Sequence, residues 1–238
     1  MTEAPLTGTS ALVTGASRGI GAAVARRLAA AGASVHLVAR GAAELERLAA
    51  ELGGRAWPAD LEDFAGLAKA LDRLGGALGG APDLIVNAAG AFGLAPLADT
   101  PVDLFDRMLA TNLRGPFLMI RAFLPRMLAR GSGTIVSVGS VAGHRAFPSN
   151  GAYSASKFGL RGLHEVLSEE LRGTGVRATL VEPGATDTPL WDPFDPDHRP
   201  DLPNRADMLS PDDVAEAVLF AATRPAGVRL PLLRVERG

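Results

Sequence analysis

The sequence predicts an α/β fold: a single doubly wound parallel sheet of about seven strands with helices on both faces. Three observations carry that prediction. Short apolar runs rich in β-branched residues alternate with longer amphipathic ones along the chain. A glycine-rich turn follows the first of these runs directly. No internal repeat or low-complexity linker interrupts 1–238, so the whole is expected to be one catalytic domain.

The candidate strands, in order, are Ser10–Thr14, Ser34–Ala39, Arg55–Pro58, Leu84–Asn87, Thr134–Val138, Arg177–Val181 and Val228–Val235. Helical patterns lie between most of them, which is the rhythm of a parallel sheet covered on both sides. The piece Gly75-Gly-Ala-Leu-Gly-Gly80 ends a helix before the fourth strand and is too short for a domain boundary. At 238 residues a single domain buries roughly 70–75% of its unfolded surface, so a substantial core is available.

Composition narrows the function. Twenty-four basic against twenty-six acidic residues leave a formal charge of −2, with no Lys/Arg block or aromatic-basic stripe, so no nucleic-acid partner is predicted. The chain has no cysteine, which excludes disulfides and thiolate chemistry. The opening Met1-Thr-Glu-Ala-Pro5 lacks the charged and apolar regions of a leader, and no apolar run reaches the length of a membrane span. A soluble, cytoplasmic protein with no membrane partner is the expectation. His36, His144, His164 and His198 show no metal-ligand spacing, and no metal is expected.

After the first strand comes Thr14-Gly-Ala-Ser-Arg-Gly-Ile-Gly21 and then the helical run Ala22–Ala31. Glycines at 15, 19 and 21 permit a tight turn and close backbone approach, so a pyrophosphate can rest on the N–H groups opening the helix. Strand before and helix after are the context that a Rossmann-type dinucleotide site requires, with Gly15, Ser17, Arg18, Gly19, Ile20 and Gly21 as its wall. The second strand ends in Val38-Ala39-Arg40, without the acidic residue that bonds a ribose 2′-hydroxyl. Arg40 and Arg18 suit a 2′-phosphate instead, which predicts NADP(H) over NAD(H). Asp60 before Leu61 is either an acceptor for the adenine amino group or an ordinary helix N-cap. In Asn87-Ala-Ala-Gly90, Asn87, Ala88 and Gly90 suit a backbone passing close to the cofactor at the carboxyl edge of the sheet.

Tyr153-Ser-Ala-Ser-Lys157 carries the chemistry. In a helix over 151–172, Tyr153 and Lys157 share a face one turn apart. A free tyrosine ionises near pH ~10, and a fixed ammonium beside it is expected to pull that value down and make the phenol a usable acid-base group.

With the glycine loop, Asn87-Ala-Ala-Gly90, Asn112, Ser140 and Tyr153-x-x-x-Lys157 in this order, the chain resembles the short-chain dehydrogenase/reductase family, most closely its 3-oxoacyl-[acyl-carrier-protein] reductase type. The resemblance runs from about Ser10 to Val235 and implies reversible hydride transfer between NADP(H) and a carbonyl/alcohol pair. It implies that Tyr153 exchanges a proton with the substrate oxygen, that Ser140 holds that oxygen, and that Lys157 also bonds the nicotinamide ribose. It implies that Asn112 holds a water linking Lys157 to solvent. Pro183-Gly-Ala-Thr-Asp-Thr188 resembles the family's segment at the nicotinamide carboxamide, with Pro183, Gly184, Thr186 and above all Thr188 as contacts. A homotetramer or homodimer is implied as well, through the helix carrying Tyr153 and the late helix and strand.

Three departures stand out: Asn87-Ala where two asparagines are usual, Gly139-Ser140 where paired serines are usual, and a C-terminus without Asp-Gly-Gly. The Pro- and Asp-rich stretch from Pro189 to Leu209 is expected to be a mobile flap over the substrate, with Trp191 and Phe194 reaching it and Phe92 and Phe147 lining the rest. Ser210 before Pro211, with Asp212 and Asp213 in the first turn, marks the start of the last helix. The alternative readings are a nucleotide-binding regulatory or scaffold protein with the same fold, and an NAD-linked alcohol or sugar dehydrogenase.

Overall fold

The structure, a computed structural model, describes residues 4–238; Met1 to Glu3, which begin the polar opening segment, lie outside the described residues. Seven strands form one sheet: β1 Ser10–Thr14, β2 Ser34–Ala39, β3 Arg55–Pro58, β4 Leu84–Asn87, β5 Gly133–Val138, β6 Val176–Pro183 and β7 Leu232–Val235. Their order is β3-β2-β1-β4-β5-β6-β7, and every neighbouring pair is parallel. The first four have the predicted bounds. The seventh begins later than the predicted Val228, because Pro231 has no N–H to give the ladder and only its carbonyl is used, by Leu180.

Helices cover both faces. On one side α1 Gly19–Ala30 and α2 Ala42–Leu52 bury Leu28, Leu45 and Leu48 against β1, β2 and β3, while α7 Pro211–Ala222 packs on α1 and buries Val214 and Val218 against β5, β6 and β7. On the other, α3 Phe64–Ala77, α5 Gly115–Arg130 and α6 Gly151–Glu170 bury Leu67, Leu74, Met119, Phe123 and Leu167 against Leu12, Ile85 and Ile135. Strands covered on both faces need apolar residues at consecutive positions, and Ala11, Leu12 and Val13 of β1 are fully buried. Truncating one such leucine, Leu28→Ala, costs about 2–5 kcal/mol.

The helix from Val102 is not uniform. α4 Val102–Leu109 passes through a π-helical segment, Ala110–Arg114, before continuing as α5. π-helical turns cluster at functional sites, and Asn112 lies in the middle of this one. At α7 Ser210 is the expected N-cap, its hydroxyl accepting from the Asp213 N–H at 3.2 Å, and the Asp213 carboxylate adds a reciprocal bond by accepting from the Ser210 N–H at 2.7 Å.

Candidate active site

The strand order reverses between β1 and β4, and the loops leaving β1 to β4 open a cleft at the carboxyl edge of the sheet. Gly15, Ser17, Arg18, Gly19, Ile20 and Gly21 form one wall, Arg40, Asp60 and Leu61 a second, and Ala88, Gly90 and Thr188 a third. The glycines are dictated by crowding. A Cβ on Gly15 would meet the Ala89 backbone at 2.6 Å, and one on Gly21 the Gly15 carbonyl oxygen at 2.2 Å.

This cradle fits a dinucleotide. α1 opens at Gly19 without a side-chain cap and without an acidic residue in its first turn, so its free N–H groups and positive dipole end face the cleft. That is an anion site for a pyrophosphate. The Thr14 hydroxyl accepts from the Ala88 and Ala89 N–H groups, both at 3.2 Å, and so fixes the Asn87–Gly90 turn against the glycine loop.

The rim of the cleft differs from the sequence expectation in one detail and adds another. Asp60 is not a helix N-cap: it accepts from the Glu62 N–H at 2.9 Å, while Asp63 caps α3 by accepting from Gly66 at 3.1 Å. Arg40 is not free, since its guanidinium lies 3.4 Å from Glu62, which also accepts from the Thr111 hydroxyl at 3.0 Å. Glu44 and Glu62 both line the cleft. Neither stands in a motif, so the sequence offered no signal for them.

Not every predicted cofactor residue reaches this wall. Asn87 is buried in β4 and donates to the Ser137 hydroxyl at 3.3 Å. Pro183 ends β6 and Gly184 follows it, its N–H taken by the Val235 carbonyl, and the Thr186 hydroxyl donates to the Gly184 carbonyl at 3.1 Å. Thr188 closes over Gly19, its methyl 3.3 Å from where a Cβ on that glycine would stand.

Ser140, Tyr153, Lys157 and Asn112 converge beyond the cleft. Ser140 follows β5 and begins a single 3-10 turn, Val141–Gly143, with its hydroxyl accepting from the Ala142 N–H at 3.1 Å. Desolvation holds the Tyr153 phenol above its ordinary pKa, and the neighbouring Ser140 hydroxyl pulls the other way more weakly. Lys157 is buried; its ammonium lies 5.7 Å from the centre of the Tyr153 ring and donates to the Val138 carbonyl at 2.9 Å. Burial lowers it to about 8. The expectation that Lys157 pulls the phenol down is therefore corrected: its hydrogen bond goes to the backbone, and desolvation decides the direction for both groups.

Asn112 is fully buried and satisfied by protein groups. It accepts from the Ala91 N–H at 2.8 Å and donates to the Ala91 carbonyl at 2.9 Å and to the Ser156 hydroxyl at 3.0 Å. Ser156 in turn donates to the Tyr153 carbonyl at 2.6 Å. Asn112 thus ties the loop after β4 to the helix that carries Tyr153. Ser156 escaped the sequence reading, although its place between Tyr153 and Lys157 was the available signal.

Three aromatic rings meet on the far side of the phenol. Phe92 is edge-on to Tyr153 at 4.9 Å between centroids and contacts Trp191 at 4.8 Å and Phe194 at 5.3 Å. Phe147 stands apart, beneath the Arg145 guanidinium. The segment that carries Trp191 and Phe194 is held by Arg205, which reaches Asp187 at 2.5 Å and Asp192 at 2.7 Å. Among the described residues no helix is long and apolar enough to cross a membrane, and no group of three His, Asp or Glu converges on a metal position.

Residues 9–199 match the short chain dehydrogenase family. The chain is 39% identical over 232 residues to the D-threitol dehydrogenase of Mycolicibacterium smegmatis, covering 94% of this chain and 89% of that one. A metagenomic short-chain oxidoreductase solved in complex with NADP superposes with a TM-score of 0.83 at 35% identity, covering 98% and 99% of the two chains. The alcohol dehydrogenase of Thermococcus sibiricus, solved with 5-hydroxy-NADP, gives 0.83 at 30% identity and 95% coverage of each. A dinucleotide cleft ending at a Ser-Tyr-Lys constellation, in a chain with these relatives, has one reading: this protein belongs to the short-chain dehydrogenase family and is an oxidoreductase of carbonyl/alcohol pairs.

Proposed function

We propose that this protein is an NADP(H)-dependent carbonyl reductase in which Tyr153 delivers the proton. The observation that carries the reading is the convergence of half-buried Ser140 and Tyr153 with buried Lys157 at the end of the cleft. When bound, the nicotinamide supplies or accepts the hydride. A phenol held above its ordinary pKa keeps its proton at neutral pH, so Tyr153 is ready to protonate the oxygen of a carbonyl being reduced. Ser140 holds that oxygen where negative charge develops. Lys157, still cationic at neutral pH, stabilises the phenolate left behind. Asn112 keeps the loop after β4 and the helix of Tyr153 in register, and the π-helical backbone around it is where a water linking Lys157 to solvent would be held.

Arg18 and Arg40 support NADP(H) over NAD(H), as do the NADP-bound relatives. Asp60 and Leu61 take the adenine, and Asn87 supports the turn that meets the nicotinamide ribose. Pro183, Gly184, Thr186 and Thr188 form the strand end at the carboxamide. The likeness to 3-oxoacyl-[acyl-carrier-protein] reductases is one of motif and assigns no substrate.

The whole chain acts as one catalytic domain, with 189–209 as the substrate flap. The exposed Phe158 and Val166 on α6 and Phe220 on α7 support a homotetramer or homodimer joined through those helices. Following cofactor absorbance against a panel of ketones, diketones, acyl thioesters and small ketoses tests the activity, the ketoses because the 39%-identical relative is a threitol dehydrogenase. Saturable NADPH binding without turnover on any of them contradicts it.

A further inference from the structure

Behind Ser140 lies a charged cluster that the reaction leaves unused. Glu182 on β6 is fully buried, and side chains from three other parts of the chain surround its carboxylate. His144 Nδ1 lies 3.0 Å and Arg234 Nε 3.4 Å from Oε2, and Arg161 Nη1 lies 3.7 Å from Oε1. Arg161 also pairs with Glu165 on its own helix at 2.9 Å.

Stability is a poor explanation for this cluster. Glu182 Oε1 and His144 Nδ1 both lack an aligned hydrogen-bond partner despite the short distances. A buried ionic group whose hydrogen bonds are incomplete is at best neutral against well-packed apolar residues.

Its placement is informative instead. Glu182 immediately precedes Pro183-Gly184 at the cofactor end of β6. His144 follows the 3-10 turn that begins at Ser140. Arg161 stands on α6, one turn beyond Lys157. Only Arg234, opposite Glu182 on β7, belongs to an element without a reacting group.

Two glycines show how tightly the Ser140 turn is gripped. Glu182 Cγ and Leu180 Cδ1 each lie 3.2 Å from where a Cβ on Gly139 would stand, so a side chain there would press on both. On the opposite side, a Cβ on Gly143 would come within 3.0 Å of the Lys157 carbonyl oxygen. The turn is clamped between Glu182 and α6.

We propose that Glu182 is a positioning residue: through His144 and Arg161 it fixes the Ser140 turn against α6 and so sets where the Ser140 hydroxyl stands relative to the Tyr153 phenol. This rests on the reading of Ser140 and Tyr153 as the reacting pair. The test compares wild-type protein with Glu182→Gln, His144→Gln and Arg234→Gln, reading kcat on a carbonyl substrate and Kd for NADPH.

Glu182→Gln and His144→Gln are expected to lower kcat by about ten- to a hundredfold, the scale of a small misplacement of a reacting group, with Kd for NADPH within about twofold. Arg234→Gln, which removes a contact to the same carboxylate from outside the reacting elements, leaves kcat within about twofold. Unchanged kcat in the first two variants, or an equal loss in Arg234→Gln, overturns the proposal. Wild-type protein that binds NADPH but turns over no carbonyl overturns the reading of the reacting pair instead. Should Glu182→Gln fail to fold, His144→Gln, whose ring is partly exposed, decides the question in the same way.

Discussion

Lys157 and Tyr153 stand one turn apart on α6 with no hydrogen bond between them: the ammonium sits 5.7 Å from the phenol ring centre and is anchored to the Val138 carbonyl. Anchored in this way, the cation is a fixed charge facing the phenol rather than a partner that shares its proton. It becomes most useful once the phenol has given the proton away, when a phenolate forms in a half-buried site beside the buried ammonium and the reduced local polarity strengthens the attraction.

This arrangement fixes a pH dependence. Lys157 is cationic below about 8 and neutral above it. The value of kcat/KM for carbonyl reduction is therefore expected to fall along a one-proton limb as pH rises through about 8. Lys157→Arg, whose guanidinium stays charged, should remove that limb even where its bulk lowers the rate. A wild-type profile that stays flat through this range contradicts the assignment.

Cofactor choice turns on Arg40 and the carboxylate beside it. Arg40→Asp is expected to raise KM for NADPH by about ten- to a hundredfold and to lower it for NADH, the scale of one lost charge-assisted hydrogen bond. Glu62→Gln releases the Arg40 guanidinium from its 3.4 Å contact and should tighten NADPH binding. Steady-state kinetics with both cofactors check the pair, and an unchanged preference in Arg40→Asp contradicts it.

The glycine loop has no spare space. Gly21→Ala places a methyl group against the Gly15 carbonyl and is expected to cost about 1–3 kcal/mol of stability and to weaken NADPH binding in parallel. Chemical unfolding and cofactor titration of the variant measure the two effects. Wild-type affinity in Gly21→Ala would show that the loop does not cradle the cofactor.

His164 makes the fold acid-sensitive. It is buried on α6 with neither ring nitrogen in an aligned hydrogen bond, and burial pushes its pKa from 6.5 down to about 4. Between those two values the unfolded chain binds a proton that the folded protein refuses, so stability drops as pH falls through that window, by about 3 kcal/mol in all. Above pH ~6.5 the group contributes no slope. Urea unfolding of wild type and His164→Leu at neutral pH and near pH ~4 checks it: the variant should lose less stability on acidification.

Much of this was legible in the residues because it is local. β1, β2 and β4 are short apolar runs with β-branched residues, and the glycine loop announces itself between a strand and a helix. Helical spacing places Tyr153 beside Lys157 without any tertiary information. What the sequence hid is non-local. Burial, which sets the direction of both pKa shifts, depends on the layers packed around α6. The π-helical turn at Asn112 is a hydrogen-bond pattern that no residue type dictates. Glu62 beside Arg40 and Glu182 beside His144 come together only when separate strands and turns do. Pro231 was the one readable warning that β7 starts late.

The most direct measurement is single-turnover reduction by Tyr153→Phe with NADPH. Removing only the phenolic oxygen should leave Kd for NADPH within about twofold while the rate of hydride transfer falls by about 10²–10⁴, the contribution of a positioned proton donor. A rate close to wild type in that variant would contradict the assignment of Tyr153 as the acid.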